Sequence, residues 1–283
     1  MITLVSVPGT GGAPIFESFP VPALTDPMLV AQGQCWGKPL GLNWSSFFIT
    51  YPAAVFPMGP SWRQGIENTV AAIRDMIPGF FVLDGYSQGA IVVARVWRDE
   101  ILNPAGRLHN RLNDCLGVIT YGPPCRAPGI AYGNTELCGI PAPPKVDGLT
   151  TGGIAGSDVL TPEQCLFPAG HPLAGKIAVY DHAAVGDLYG DCPIGDNPWT
   201  AISQVGHDEN LIYRIVQDAD LANFAAILTA IGGVLTSPVA NLIPLVEAIY
   251  NGGMFLIQGA TPHGNYSTDG ATEWLIELGK QYA

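Results

Sequence analysis

The chain has 283 residues, 48% of them apolar and only 13% charged, which suits one large globular domain, or one domain with a sizeable insertion, and excludes a disordered or coiled-coil chain. Twelve Lys and Arg stand against 24 Asp and Glu, a net charge of -12. Phosphate binding needs clustered basic residues, so nucleic acid is excluded as a partner, and an anionic membrane surface would repel the chain. An uncharged polymer or lipid remains open.

From the N-terminus, Ile2 to Val7 is a β-branched run broken by Pro8-Gly9-Thr10-Gly11-Gly12, a buried first strand ending in a glycine-rich turn. No basic segment and no long apolar run precede it, so no cleaved signal peptide is expected. Phe47 to Tyr51 is a second strand, stopped by Pro52. Ser61 to Met76 carries Ile66, Val70 and Ile73 at helical spacing and ends before Pro78-Gly79. Phe80 to Leu83 is a third strand, Gln88 to Leu102 a helix, Leu116 to Tyr121 a fourth strand and Lys176 to Tyr180 a fifth. Apolar strands alternating with helical stretches indicate βαβ units and a mostly parallel sheet covered on both faces, an α/β fold.

Two regions break that rhythm. Residues from about 122 to 172 are rich in Pro, Gly and Cys and read as a long irregular loop. Residues 207–252 read as a helical cap or linker inserted into a core of residues 1–206, with 253–283 returning to that core. No charge lies between Asp220 and Glu247, a stretch longer than the roughly 20 residues of a membrane span. Gly232, Gly233, Pro238 and Pro244 interrupt it, so several short apolar helices are expected rather than a transmembrane segment. Six cysteines (35, 115, 125, 138, 165 and 192) include no C-x-x-C. They fit either disulfides or scattered buried thiols.

Gly85-Tyr86-Ser87-Gln88-Gly89 is a single G-x-S-x-G placed between a strand and a helix, the setting of a nucleophile elbow. The turn strains the serine backbone, and side chains at either glycine would collide with neighbouring elements. A serine hydroxyl needs a base, and the base needs an acid to hold its tautomer. In this kind of fold the chain order is Ser, then Asp or Glu, then His. His263, in a loop before the final helix (Ala271 to Gly279), is favoured over His207, whose acidic neighbours resemble first-turn helix charges. Asp181, Asp187 and Asp191 all follow the fifth strand, and spacing does not separate them. The backbone N–H groups of Gln88 and Thr10 are the candidate oxyanion donors. The glycine turn at residues 8–12 is neither a P-loop nor a dinucleotide fingerprint. No metal or cofactor is implied, and Asp181-His182 and His207-Asp208 read as surface pairs.

The segments Tyr51-Pro52-Ala53-Ala54-Val55-Phe56-Pro57-Met58, Gly85 to Val92 and Gly106-Arg107-Leu108-His109 resemble the lysin B proteins of mycobacteriophages, cutinase-like serine esterases of the α/β-hydrolase fold. The likeness covers roughly residues 1–130 and the surroundings of Gly186-Asp187-Leu188, and is loose elsewhere. It implies Asp187 as the triad acid and His263 as the base. It further implies hydrolysis of the ester joining mycolic acids to arabinogalactan, by a protein made in the infected host cytoplasm and acting on the outer envelope during lysis. The apolar stretch Leu221 to Val246, with Trp199 or Phe224 at its rim, would then receive the long acyl chain. A general cutinase or lipase, carried on the virion, is the second reading. A non-catalytic glycolipid-binding protein of the same fold is the third.

Overall fold

Three strands hold the centre because they are mostly apolar and their one carboxyl, Asp84, accepts the Ser6 hydroxyl (3.2 Å). Ile2–Val7 (β1), Phe81–Tyr86 (β3) and Cys115–Tyr121 (β4) are buried along their whole length. That is the signature of parallel strands covered on both faces. Trp44–Phe48 (β2) and Val179–His182 (β5) close the two edges, giving the order β2-β1-β3-β4-β5 with every neighbouring pair parallel. The computed structural model describes residues 1–11, 44–54, 57–204, 206–207, 210, 213–214, 217, 263 and 266–282.

Alternation along the strands sends side chains to two cores. Val5, Val7, Leu83, Val118 and Val179 pack against the helices Met58–Asp75 (α1) and Gln88–Arg95 (α2). The latter runs on into a π-helical stretch, Val96–Leu102. Trp62, Val70 and Ile73 form the buried stripe of α1, with Ile66 packed beside them. On the other face Ile2, Leu4, Val82, Leu116 and Ile119 pack against Ala271, Leu275 and Leu278 of the C-terminal helix Asp269–Gln281 (α3). The result is a three-layer α/β-hydrolase arrangement. The chain leaves β1 for β2 on one side and returns to β3 on the other. The carboxyl ends of β1 and β3 therefore flank a topological switch point, where such sheets place their crevice.

Several boundaries differ from the sequence reading. β2 lies at Trp44–Phe48, not Phe47 to Tyr51, because the Tyr51 side chain turns away to donate its hydroxyl to the Pro8 carbonyl (2.5 Å). β5 begins at Val179, because residues 176–178 pair antiparallel with residues 165–167 instead. It also runs on through Asp181 and His182. Both are buried at 2% exposure, so they are not a surface pair. Cys115, Cys125 and Cys165 are buried free thiols whose ionisation burial disfavours, Cys115 and Cys125 being pushed up to about 12, and Cys138 is free as well. The irregular region contains short helical turns at Gly133–Cys138, Gly156–Asp158 and Glu163–Cys165, together with isolated antiparallel bridges. Among the described residues no helix is long and apolar enough to cross a membrane. Leu221 to Val246, Phe224, the run Met254 to Ile257 and most of the 207–252 insertion lie outside the described residues.

One of the tightest approaches in the fold is at Gly89. A Cβ there would fall far inside van der Waals contact with the Val7 carbonyl. Gly89→Ala is expected to push α2 off β1 and cost about 1–3 kcal/mol, the usual range for overpacking. Urea unfolding of wild type and variant measures it, and equal midpoints would refute the close-approach account.

Candidate active site

β3 ends at Tyr86, and Ser87 turns the chain into α2 with φ 52° and ψ -113°. This is a backbone region that costs an L-residue about 1–3 kcal/mol. Two glycines make the turn feasible. A Cβ on Gly85 would lie 2.6 Å from the Gly89 carbonyl oxygen, and Gly89 itself is pressed onto β1. The Ser87 amide donates to the Tyr121 carbonyl of β4 (2.9 Å), and the hydroxyl is left at the sheet's carboxyl edge.

His263 meets that hydroxyl. Its Nε2 lies 2.9 Å from Ser87 Oγ, and its Nδ1 lies 3.0 and 2.9 Å from the two oxygens of Asp187. All three side chains are buried. Asp187 also accepts the Tyr189 amide on Oδ1 (3.0 Å) and the Tyr266 hydroxyl on Oδ2 (2.5 Å). Burial pushes this carboxyl up. The His263 charge and the hydrogen bonds from His263, Tyr266 and the Tyr189 amide outweigh it, holding the group below the usual carboxylate range. The sequence-predicted Ser87, Asp187 and His263 are thus brought into one hydrogen-bonded chain.

The two other aspartates face elsewhere. Asp181 accepts the hydroxyl of Thr120, its neighbour across β4 and β5, and Asp191 Oδ2 accepts the Gly186 amide (2.8 Å), closing the turn that carries Asp187. His207 sits in a helical turn, its amide donating to the Ser203 carbonyl (2.8 Å). The remaining histidines serve packing. His182 stacks on Tyr121 and is pushed down to about 4 by burial, His171 stacks on Phe167, and His109 Nδ1 is bonded to the Ile101 carbonyl. Among the described residues no group of three His, Cys, Asp or Glu is arranged to hold a metal.

Gln88 and Thr10 flank the serine. A Cβ on Gly9 would lie 3.2 Å from Ser87 Cβ, so the loop carrying Thr10 passes directly beside the nucleophile position. That loop is held from Tyr51-Pro52-Ala53-Ala54. The Tyr51 hydroxyl binds the Pro8 carbonyl, and the Ala53 carbonyl accepts the Gly11 amide (2.7 Å). Gln88 is held from the same segment, its Nε2 donating to the Ala54 carbonyl (2.9 Å) and its Oε1 accepting the Ser61 hydroxyl (3.1 Å). Trp199 packs on the core with its indole N–H donated to the Val159 carbonyl (3.2 Å).

Three residues at the site escaped the sequence reading. Tyr86 donates its hydroxyl to the His263 carbonyl (2.9 Å) and stacks on the imidazole, with centroids 5.3 Å apart. Gly122, at φ +56°, forms the wall, since a Cβ there would lie 2.5 Å from His263 Cε1. Tyr266 is the third donor to Asp187. Only the position of Tyr86 inside the G-x-S-x-G motif offered a signal.

Against this geometry the comparisons are specific. No family model matches the chain. A stretch of 86 residues is 46% identical to Endolysin B of Mycobacterium phage L5, covering 29% of this chain and 34% of that protein. Another of 97 residues is 42% identical to Endolysin B of Mycobacterium phage D29, covering 33% and 38%. The chain thus spans about a third of the length of the curated relatives it matches. The crystal structure of lysin B from Mycobacteriophage D29 aligns over 96% of this chain and 98% of its own, at 27% identity and TM-score 0.62. The chain is similar to lysin B. The likeness to lysin B in three dimensions runs nearly end to end, whereas the strong sequence likeness is confined to a third of the chain.

Asp181 stands apart from the chain of hydrogen bonds joining Ser87, His263 and Asp187. Burial raises its carboxyl to about 6, against the lowering effects of Thr120 and Arg126. Between the ordinary value of 3.8 and about 6 the folded protein holds a proton that the unfolded chain has released, so this group makes stability fall as pH rises through that window. Asp181→Asn is expected to flatten the decline of urea midpoints from pH 4 to pH 6, by an integrated amount of about 2 kcal/mol. An unchanged slope would refute it.

Proposed function

We propose that the protein is a serine esterase of the phage-lysis type that cleaves the ester between mycolic acids and arabinogalactan. The observation that carries the reading is the chain Ser87 Oγ, His263 Nε2, His263 Nδ1, Asp187, set on a strained strand-to-helix turn. Similarity to lysin B supports the choice of substrate, and the small share of charged residues suits an uncharged lipid ester.

In this reading His263 takes the Ser87 proton as Oγ attacks the acyl carbonyl, then returns it to the leaving alkoxide of the sugar. Asp187 fixes the tautomer with Nδ1 protonated and stabilises the imidazolium that forms. The developing oxyanion is held by the Gln88 and Thr10 amides, each such donor being worth about 3 kcal/mol in the transition state. Water, activated by His263, then releases the fatty acid from the acyl-enzyme. The protein would act on the outer envelope during lysis, with no cofactor required by the chemistry.

Purified mycolyl-arabinogalactan-peptidoglycan is expected to release free mycolic acids with wild type and none with Ser87→Ala. Cleavage of p-nitrophenyl butyrate without mycolate release would favour a general cutinase or lipase. Inertness toward both would leave a glycolipid-binding protein. A second variant tests the acid's surroundings. Tyr266→Phe removes one neutral-to-charged hydrogen bond and is expected to lower kcat by about 10-fold, the equivalent of about 1.4 kcal/mol, with KM little changed. Unaltered kcat would remove Tyr266 from the site.

A further inference from the structure

The irregular excursion between β4 and β5 takes no part in the steps above, yet it contains the one Lys or Arg that is buried among the described residues. Arg126 has 0% exposure. A guanidinium withdrawn from water is strongly unfavourable unless its donors and its charge are both met. Its donors reach three separate stretches of chain. Nε donates to the Gly190 carbonyl (2.6 Å), Nη1 to the Ile130 carbonyl (2.9 Å) and Nη2 to the Thr151 hydroxyl (2.8 Å).

The first of these bonds bears on the triad. Gly190 and Asp191 both donate their amides to the Asp187 carbonyl (3.1 and 2.7 Å), and Asp191 Oδ2 accepts the Gly186 amide. The Gly190 peptide is therefore held from both sides, by the backbone of the triad acid and by Arg126. The excursion is bonded to the same turn once more, Ile154 donating to the Tyr189 carbonyl (3.0 Å), and it is braced internally by the Gly153 amide on the Arg126 carbonyl (3.0 Å). The charge is met at longer range by Asp181, Asp191 and Asp187, the three carboxylates that act on Arg126 most strongly. Asp187 in turn faces His263, Tyr266 and Tyr189.

We propose that Arg126 is a positioning residue for the triad acid, fixing the turn from Gly186 to Asp191 and supplying a buried positive charge shared by Asp181, Asp187 and Asp191. It rests on the esterase reading. The fork geometry of a guanidinium serves the first task and its charge the second, so the two can be separated by substitution.

The test compares full-length wild type, Arg126→Lys and Arg126→Met in kcat, KM and the acid limb of the kcat/KM profile for p-nitrophenyl butyrate. Misplacement of a catalytic group by about 1 Å costs about 10²-fold. Arg126→Met is expected to lose kcat on that scale with little change in KM, and to move the acid limb up as the His263–Asp187 pair loses a nearby cation. Arg126→Lys is expected to restore the acid limb but not kcat. Circular dichroism and thermal melts establish folding first. Should Arg126→Met not fold, Thr151→Ala, which releases only Nη2, must lower kcat several-fold at unchanged KM. Wild-type kcat and an unmoved limb in a folded Arg126→Met, or wild-type kcat in Thr151→Ala, overturn the proposal. A wild type inert toward the ester and unlabelled by a fluorophosphonate would overturn the esterase reading and this inference together. An active wild type with indifferent variants overturns the inference alone.

Discussion

The closeness of α2 to β1 at Gly89 governs much of the site. With no side chain there, the first turn of the helix drops onto the Val7 carbonyl, and Gly85 lets β3 lie against the same turn. Ser87 is forced into its positive-φ conformation between them, and the Tyr121 carbonyl of β4 locks it by accepting its amide. Three adjacent strands and a helix thus over-determine one strained residue. That is the condition under which strain persists in a folded protein instead of relaxing. The hydroxyl consequently stands clear of the sheet, where a base brought in by a distant part of the chain meets it.

Around that point the hydrogen bonding is divided by segment. Tyr51 to Ala54 holds the two stretches of chain beside Ser87, through Pro8 and Gly11 on one side and Gln88 on the other. Ala53 adopts φ 46° to do so, a second strained non-glycine position within a few residues of contact with the first. The turn from Gly186 to Asp191 and the Tyr266 hydroxyl hold the acid. Preorganised donors act in a site largely withdrawn from water, where each is worth more than at an exposed surface.

Apolar content made the strands of the sheet readable, because buried parallel strands leave a continuous hydrophobic trace. The same trace misplaced β5, since the strand carries two buried polar residues, Asp181 and His182, that composition assigns to the surface. It misplaced β2 because Tyr51 looks like a strand residue, whereas its hydroxyl serves a loop 43 positions earlier in the chain. At the site, Ser87 was legible because its motif and its strand-to-helix setting are contiguous. The acid was not, because Asp181, Asp187 and Asp191 differ only in which way the chain carries them. Gly122, Tyr266 and Arg126 left no local pattern at all. Their roles exist only through contacts with residues tens of positions away.

The bond from the Tyr86 hydroxyl to the His263 carbonyl ties the base to the residue that immediately precedes the nucleophile. Both reacting groups are therefore referenced to one dipeptide, and the separation of 176 positions along the chain has no bearing on the distance between them. Whatever path the chain takes between Asp187 and His263, the imidazole is aimed twice over, by the Asp187 carboxylate at Nδ1 and by Tyr86 through the His263 backbone carbonyl.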